Sequence, residues 1–222
     1  MPTDDPDRFE EAVRAFRRRV PMSDAQWDKL TEGEREFAFK VSGVSQADLV
    51  NDAYEAIDRA ITDGTTLEDF KREVGAQLEA AWGKEDPARL ETVFRTNTQT
   101  AYNAGRHEVL SHPEVRRARP YLRFDAVMDS RTSDVCDALD GTVRPADDAF
   151  WDTHHPPLHF NCRSILTPLS EEEAGDEGVD EKPHDVEPDE GFGKPPTVGG
   201  DWQPDPADYP GPIADILRDK LR

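Results

Sequence analysis

The stretch that decides the fold of this chain is the segment 156–164, which reads PPLHFNCRS. It places His159 and Cys162 three residues apart, and the other cysteine of the chain, Cys136, comes shortly before it. Two thiols and several imidazoles so close in sequence can build one metal site or one disulfide. Either one would hold together a loop-rich segment that has too few apolar residues to hold itself together.

The sharpest hypothesis for this cluster is a structural Zn²⁺ site. Cys136 and Cys162 would supply thiolates and His159 an imidazole, because zinc favours four nitrogen or sulfur ligands in a closed tetrahedron. The fourth ligand would be His155, with His154 and Asp129 as the other candidates. A loop with so little apolar core would gain stability directly from the bound metal.

Three other interpretations of the same residues stay open. The thiols could be free and the histidines ordinary loop residues, or Cys136 and Cys162 could form a disulfide, which a reducing cytoplasm disfavours. A metal with an open position, or the thiol–imidazole pair Cys162 and His155, could catalyse hydrolysis. The chain has no His-Glu-x-x-His motif and no Gly-rich phosphate loop. We therefore expect that it is not an enzyme.

The composition is strongly acidic, with 48 Asp and Glu against 27 Lys and Arg, a net charge of -21 and a pI of about 4.6. Such a chain is repelled by nucleic acid and by anionic membranes. No apolar run is long enough to predict a transmembrane helix. The first residues are acidic and do not resemble a signal peptide, so we expect the protein to be made in a cytoplasm.

Apolar periodicity predicts an α+β fold. Apolar residues recur at helical spacing through 1–112, which predicts an N-terminal helical region. Alternation begins at Tyr121, and a capped helix and further short strands follow. Residues 113–169 are thus expected to form a small mixed domain of helix and short strands that contains the Cys/His cluster, followed by an extended C-terminal tail.

The tail divides into two parts by composition. Residues 170–190 are rich in acids and lack apolar periodicity, which predicts a disordered linker. Residues 191–222 place aromatic side chains in a Pro/Gly-rich stretch and end in an amphipathic turn or two. This pattern predicts a docking arm with a short C-terminal helix, whose contacts with another protein would be made by Phe192, Trp202 and Tyr209.

A local excess of arginine interrupts the acidic chain between residues 95 and 131. It could contact DNA phosphates or an acidic surface of a partner protein. The residues assigned to this role are Arg106, Arg116, Arg117, Arg119 and Arg123. The competing interpretation is a solvated face held by internal ion pairs.

Several motifs in order resemble one family. They are Arg89–Asn97 (RLETVFRTN), Ala101–Arg106 (AYNAGR), Asp129–Thr132 (DSRT), Leu139–Gly141 (LDG), Trp151, the PPLHFNCR segment, and the aromatic tail. The chain resembles the phage Mu protein F-like family of minor head proteins, also called head morphogenesis proteins. Members often end the motif Cys-Arg-Cys, whereas this chain has Ser164.

The resemblance implies a structural role in the head of a tailed phage or prophage. The expected partners are portal protein and major capsid protein, with an additional contact to DNA and none with a membrane. The expected location is the host cytoplasm during procapsid assembly and then the virion. Two alternatives remain: a metal-dependent hydrolase or ejected effector, and a DNA-binding head component.

Overall fold

The computed structural model describes residues 9–35, 37–180, 185–196, 205–209 and 211–220. The described chain forms two compact units. Unit 1 contains the residues up to Thr98 together with those from 205 onward, and unit 2 runs from Gln99 to Pro196. The predicted α+β class is confirmed. The division between the two units falls between residues 98 and 99, inside a long helix, and the boundary at residue 112 stays a prediction.

Unit 1 is mainly helical. Its elements are α1 Glu10–Arg17, β1 Val20–Pro21, α2 Asp24–Trp27, α3 Glu32–Arg35, β2 Ala38–Phe39, α4 Ala47–Asp63, α5 Leu67–Phe70, a π-helical turn Lys71–Gly75, α6 Ala76–Trp82, the first half of α7 Pro87–Leu110, a 3₁₀ turn Pro206–Asp208 and α11 Gly211–Lys220. The two short strands pair in parallel. Gly64 ends α4 in the left-handed conformation, as the Asp-Gly pair predicts.

The core of unit 1 follows from the apolar stripe of α4. Ile57 is fully buried, and Tyr54 stacks on Phe16 at 4.7 Å and meets Phe39 edge-on at 5.5 Å. Such aromatic pairs add stabilisation beyond their buried area.

The end of the chain belongs to the same core. Leu217 of α11 is 1% exposed and packs in one cluster with Val20, Met22 and Ala38. Tyr209 is half-buried against that cluster.

Unit 2 is built around a three-stranded antiparallel sheet. After the second half of α7 come α8 Pro113–Ala118, β3 Tyr121–Asp125, α9 Asp134–Leu139, β4 Val143–Pro145, a 3₁₀ turn Ala149–Asp152, β5 Ile165–Leu169 and α10 Glu171–Glu177. The strand order is β4-β3-β5, with Arg123 opposite both Val143 and Thr167. Because side chains alternate along β3, Leu122 and Phe124 point into the core.

Helix α10 corrects the prediction of a disordered linker over residues 171–177. Ser170 caps the helix, since its hydroxyl accepts from the Glu173 N–H and the Glu173 carboxylate accepts from the Ser170 N–H. Ala174 is fully buried against Val143 and Leu169 of the sheet. Arg119 and Arg123 form ion pairs with glutamates of α10 and so neutralise part of its charge.

Residues 185–196, called the arm below, also have defined contacts, whereas residues 181–184 lie outside the described part of the chain. Among the described ranges, no helix combines the length and the apolar character needed to cross a membrane.

Candidate metal centre

Two elements of unit 2 bring the predicted cysteines and one histidine together. Cys136 lies in the first turn of α9, where its backbone N–H donates to the hydroxyl of the N-cap residue Ser133 at 3.2 Å. Its sulfur is 3.8 Å from Cys162 Sγ and 3.2 Å from His159 Nε2. The three ligand atoms all lie within 4.8 Å of one another. This group is called the CHC triad below.

A tight turn orients the two loop members of the triad. The Cys162 N–H donates to the His159 carbonyl at 3.3 Å, and Asn161 between them has a left-handed φ of 59°. Asparagine tolerates this conformation better than most residues. Leu158, fully buried in the core, anchors the entry to the turn. The i, i+3 spacing of His159 and Cys162 therefore places both side chains on one side of the loop.

The spacing of the triad fits a tetrahedral zinc ion. Two sulfurs bound to one zinc at about 2.3 Å would lie about 3.8 Å apart, and a bound sulfur and nitrogen about 3.5 Å apart. The measured separations are 3.8 Å between the sulfurs and 3.2 Å from Cys136 Sγ to His159 Nε2. A disulfide would need the sulfurs at about 2.05 Å. Both cysteines are free thiols in the structure.

The tautomer of His159 also fits a metal ligand. Its Nδ1 lies 2.8 Å from the Phe160 carbonyl, which can only accept, so Nδ1 carries the proton. The lone pair of Nε2 then faces Cys136, with the Ser133 hydroxyl 2.8 Å away. Metal-binding histidines usually donate their other ring N–H to such a carbonyl.

Hydrogen bonding between the two thiols separates their acidities. The hydrogen bond from Cys136 lowers the pKa of Cys162 to about 6, despite the opposing effect of burial. The same bond, together with burial, raises the pKa of Cys136 to about 12. The hydrogen bond with Cys136 raises the pKa of His159. One thiolate is thus available near neutral pH, and a metal would have to displace the second proton.

The structure does not bring the predicted fourth ligand to the triad. His155 has its Nδ1 2.8 Å from the Pro156 carbonyl and its ring edge-on to His107 at 4.8 Å, away from the sulfurs. His154 donates from Nε2 to the Val186 carbonyl at 2.9 Å. The metal-ligand group found in the described residues therefore omits His155.

Asp129, the third candidate, is held by an arginine. Both its carboxylate oxygens accept from Arg163 at 2.6 Å, and this pair keeps the pKa of Asp129 well below its usual range. The group next to the triad that sequence reasoning missed is Ser164, whose hydroxyl lies 3.1 Å from Cys136 Sγ and which is 1% exposed. The sequence feature that could have identified Ser164 is its position, two residues after Cys162.

The triad is closed to solvent at its sulfurs. Cys136 is 3% exposed and Cys162 2% exposed, and both belong to the apolar core around Phe124 and Leu166. Structural metal sites are closed, whereas catalytic ones keep an open position for water or substrate. The burial of both sulfurs is therefore typical of structural sites.

The predicted arginine surface is largely tied into the fold of unit 2. Arg106 donates to the Leu166 carbonyl at 2.8 Å. Two others bind α10: Arg119 pairs with Glu173 and Arg123 with Glu177, each at 2.7 Å. Arg117 is exposed, and Arg116 lines a cavity described below. A role of these arginines in binding DNA or a partner stays a prediction.

The aromatic arm contacts unit 2 itself. Phe192 packs edge-on against Phe160 at 5.0 Å. The His155 N–H donates to the Gly193 carbonyl at 2.8 Å, and the Gly193 N–H donates to the Pro157 carbonyl at 3.1 Å. Of the other predicted docking residues, Tyr209 packs in unit 1 and Trp202 lies outside the described residues.

These features define an α+β chain with a thiol–imidazole cluster whose sulfurs are buried. The sequence model of the family described as "Phage Mu protein F like protein" matches residues 51–167, more than half of the chain. The chain belongs to this family, which confirms the resemblance seen in its motifs.

Two relatives carry names that agree with the family. The putative capsid assembly protein F of Escherichia phage Mu is 32% identical over 177 residues, covering 72% of this chain and 40% of the relative. The Mu-like prophage FluMu F protein of Haemophilus influenzae is 33% identical over 158 residues, covering 65% of this chain and 38% of the relative. The chain thus spans about two fifths of the length of these relatives. No solved structure matches it.

Proposed function

We propose that this protein is a minor head protein that binds portal protein or major capsid protein during assembly of a phage procapsid. The observation that carries the proposal is membership of the Mu F-like family, together with the name of the phage Mu relative, a putative capsid assembly protein. On this proposal the protein acts in the host cytoplasm during assembly and then becomes part of the virion.

The buried state of the triad supports a binding role over catalysis. A nucleophilic thiol must reach substrate, and Cys136 pairs with His159 as a cysteine hydrolase would require. However, that sulfur is enclosed by the core and by the hydroxyl of Ser164. We therefore propose that the triad stabilises the loop, and we propose no enzymatic activity for the chain.

The direct test is co-expression with the portal and major capsid proteins of a Mu-like phage. We expect the full chain to co-purify with one of them and to be present in procapsids. Heads that assemble at normal yield without the protein, with neither candidate binding it, would contradict the proposal.

We further propose that the triad holds a structural Zn²⁺ ion. Cys136, His159 and Cys162 would be its ligands, and the neighbouring Ser164 hydroxyl would fill the fourth position. Bound metal would add directly to the stability of the loop. The ion would stabilise this part of the fold because it would link α9 to the 159–162 turn.

Elemental analysis of protein purified without a metal-affinity tag measures this directly. We expect about one zinc per chain in the wild type and none in Cys162→Ala. A chelator should lower the melting temperature of the wild type by at least about 5 °C, because 1 kcal/mol corresponds to about 4–8 °C in a unit of this size. The variant should not respond. A wild-type protein free of metal, with an unchanged melting temperature in chelator, would refute the zinc assignment.

A further inference from the structure

Unit 2 contains a cavity that the metal centre does not use. It has a volume of about 470 Å³, which is within the range of ligand sites. Its polar lining comes from α7, α8, the segment after β4, the end of the 3₁₀ turn and the loop that follows that turn, and Pro195 and Pro196 of the arm form one apolar wall. The polar residues that matter below are His107, Arg116, Asp147, Asp152 and His155.

His155 presents an unused hydrogen-bond acceptor in this cavity. The residue is only 3% exposed, and its Nδ1 lies 2.8 Å from the Pro156 carbonyl, so that nitrogen carries the proton. Its Nε2 is buried and has no hydrogen-bond partner among the described residues. Burial, with His107 beside it, lowers the pKa of His155 to about 3, so the ring is neutral and Nε2 keeps its lone pair. Native proteins rarely leave such an atom without a partner.

Arg116 presents an unused donor to the same cavity. Its Nε is buried and also has no hydrogen-bond partner within the described ranges. Asp147 and Asp152 are exposed at the cavity, yet neither forms an ion pair with Arg116 in the part of the chain that the structure describes. The residues that line this one space therefore include a buried acceptor, a buried donor and two carboxylates that do not satisfy each other.

We propose that this cavity binds an extended peptide segment that carries a lysine or arginine. A peptide group offers an N–H for His155 and a carbonyl for Arg116, while the cationic side chain would meet Asp147 and Asp152. Leu110, Trp151 and the two prolines of the arm supply apolar contact. The carboxylates and the net charge of -21 oppose phosphate and nucleic acid.

A metal ion is a poorer occupant than a peptide. Within the described residues, the only set of three ligand side chains close enough to share an ion is the CHC triad. The inference does not depend on the zinc assignment, and it holds whichever protein supplies the peptide. Its failure would leave the proposed binding to portal or capsid protein untouched.

The test is a titration of the full chain with three blocked tripeptides: acetyl-Gly-Lys-Gly-amide, acetyl-Gly-Gly-Gly-amide and acetyl-Gly-Glu-Gly-amide. The NMR signals of the His155 imidazole and the Arg116 Nε–H report on the two unused atoms. We expect the lysine peptide to shift both signals saturably, with a dissociation constant of about 1 mM or tighter. The glutamate peptide should bind at least about tenfold more weakly.

Matched variants separate this site from general charge attraction. Asp147→Asn combined with Asp152→Asn should abolish the preference for lysine. Glu172→Gln combined with Asp176→Asn removes the same charge from exposed positions of α10 and should leave the preference intact. Arg116→Met, at a half-buried position, tests the donor without disturbing the fully buried His155.

Three outcomes would overturn the proposal. The first is that no peptide moves either signal at about 10 mM. The second is that the lysine and glutamate peptides bind equally or that Arg116→Met binds as the wild type does. The third is that inorganic phosphate or Zn²⁺, and no peptide, shifts both signals, which would make the cavity an ion site.

Discussion

Replacing Gly193 by alanine should detach the arm from the rest of unit 2. Gly193 is buried and has a φ of 84°, a conformation that costs an L-residue about 1–2 kcal/mol. A Cβ atom there would fall inside contact distance of the Thr153 carbonyl oxygen and 2.5 Å from Pro188 Cγ. Since one of these is backbone, the arm would have to move.

The cost can be worked from the contacts that would be lost. Gly193 makes two backbone hydrogen bonds to the 155–157 segment, and Asp189 makes a third to the Leu158 carbonyl at 2.9 Å. At about 0.5–1.5 kcal/mol each, these bonds contribute about 1.5–4.5 kcal/mol. The freed arm regains conformational entropy, which offsets part of this loss. We expect Gly193→Ala to lower the free energy of unfolding by about 2–4 kcal/mol.

Gly191 provides a matched control in the same arm. Its φ is 86°, but a Cβ atom there would meet nothing within 4 Å. Gly191→Ala should therefore cost only the backbone term of about 1–2 kcal/mol. Urea unfolding compares the two variants, and hydrogen exchange of the His155 amide reports arm docking directly. Equal stability and equal protection of that amide in both variants would refute the steric reasoning.

Two further predictions concern pH and α10. Because burial holds the pKa of His155 at about 3 against 6.5 in the unfolded chain, its stabilising contribution is complete above pH 6.5 and is lost as the pH falls towards 3. Between pH 7 and 4.5 this loss is about 2.5 kcal/mol, and urea unfolding of His155→Phe should show a stability curve flatter by that amount; curves of equal slope would contradict it. Ala174→Asp places a carboxylate at a fully buried position and should cost about 2–3 kcal/mol with loss of α10, measured by unfolding and circular dichroism. Gly175→Asp, at the exposed neighbour, should be nearly neutral, and a similar loss from both would remove the packing argument.

Local signals in the sequence predicted most of the helices and strands. The Asp63-Gly64 pair at the end of α4 and the alternation after Tyr121 each correspond to a feature of the structure. Such signals act over a few residues, so the sequence alone carries them.

Helix α10 was missed although its capping box, Ser170 with Glu173, is equally local. The acidic composition outweighed that signal, because the arginines that neutralise the glutamates are 54 residues away in sequence. Long-range charge compensation of this kind leaves no local pattern.

The sequence also predicted only part of the candidate site, because contacts between residues far apart in sequence leave no local pattern. The i, i+3 spacing of His159 and Cys162 indicated that both could reach one ion, and the structure places them with Cys136. His155 as fourth ligand stays a prediction that the observed group does not include, because proximity in sequence does not fix the direction of a side chain. Its ring turns towards His107 of α7, a contact that only the packing of unit 2 establishes.

The placement of Leu217 has a consequence for the order in which the chain can fold during synthesis. Unit 2 has all its described residues once Pro196 has left the ribosome, and domains generally fold as units while synthesis continues. Unit 1 starts earlier but must wait longer, because Val20, Met22 and Ala38 lack their apolar cover until α11 emerges. The part of the protein that begins first is therefore the part that is completed last.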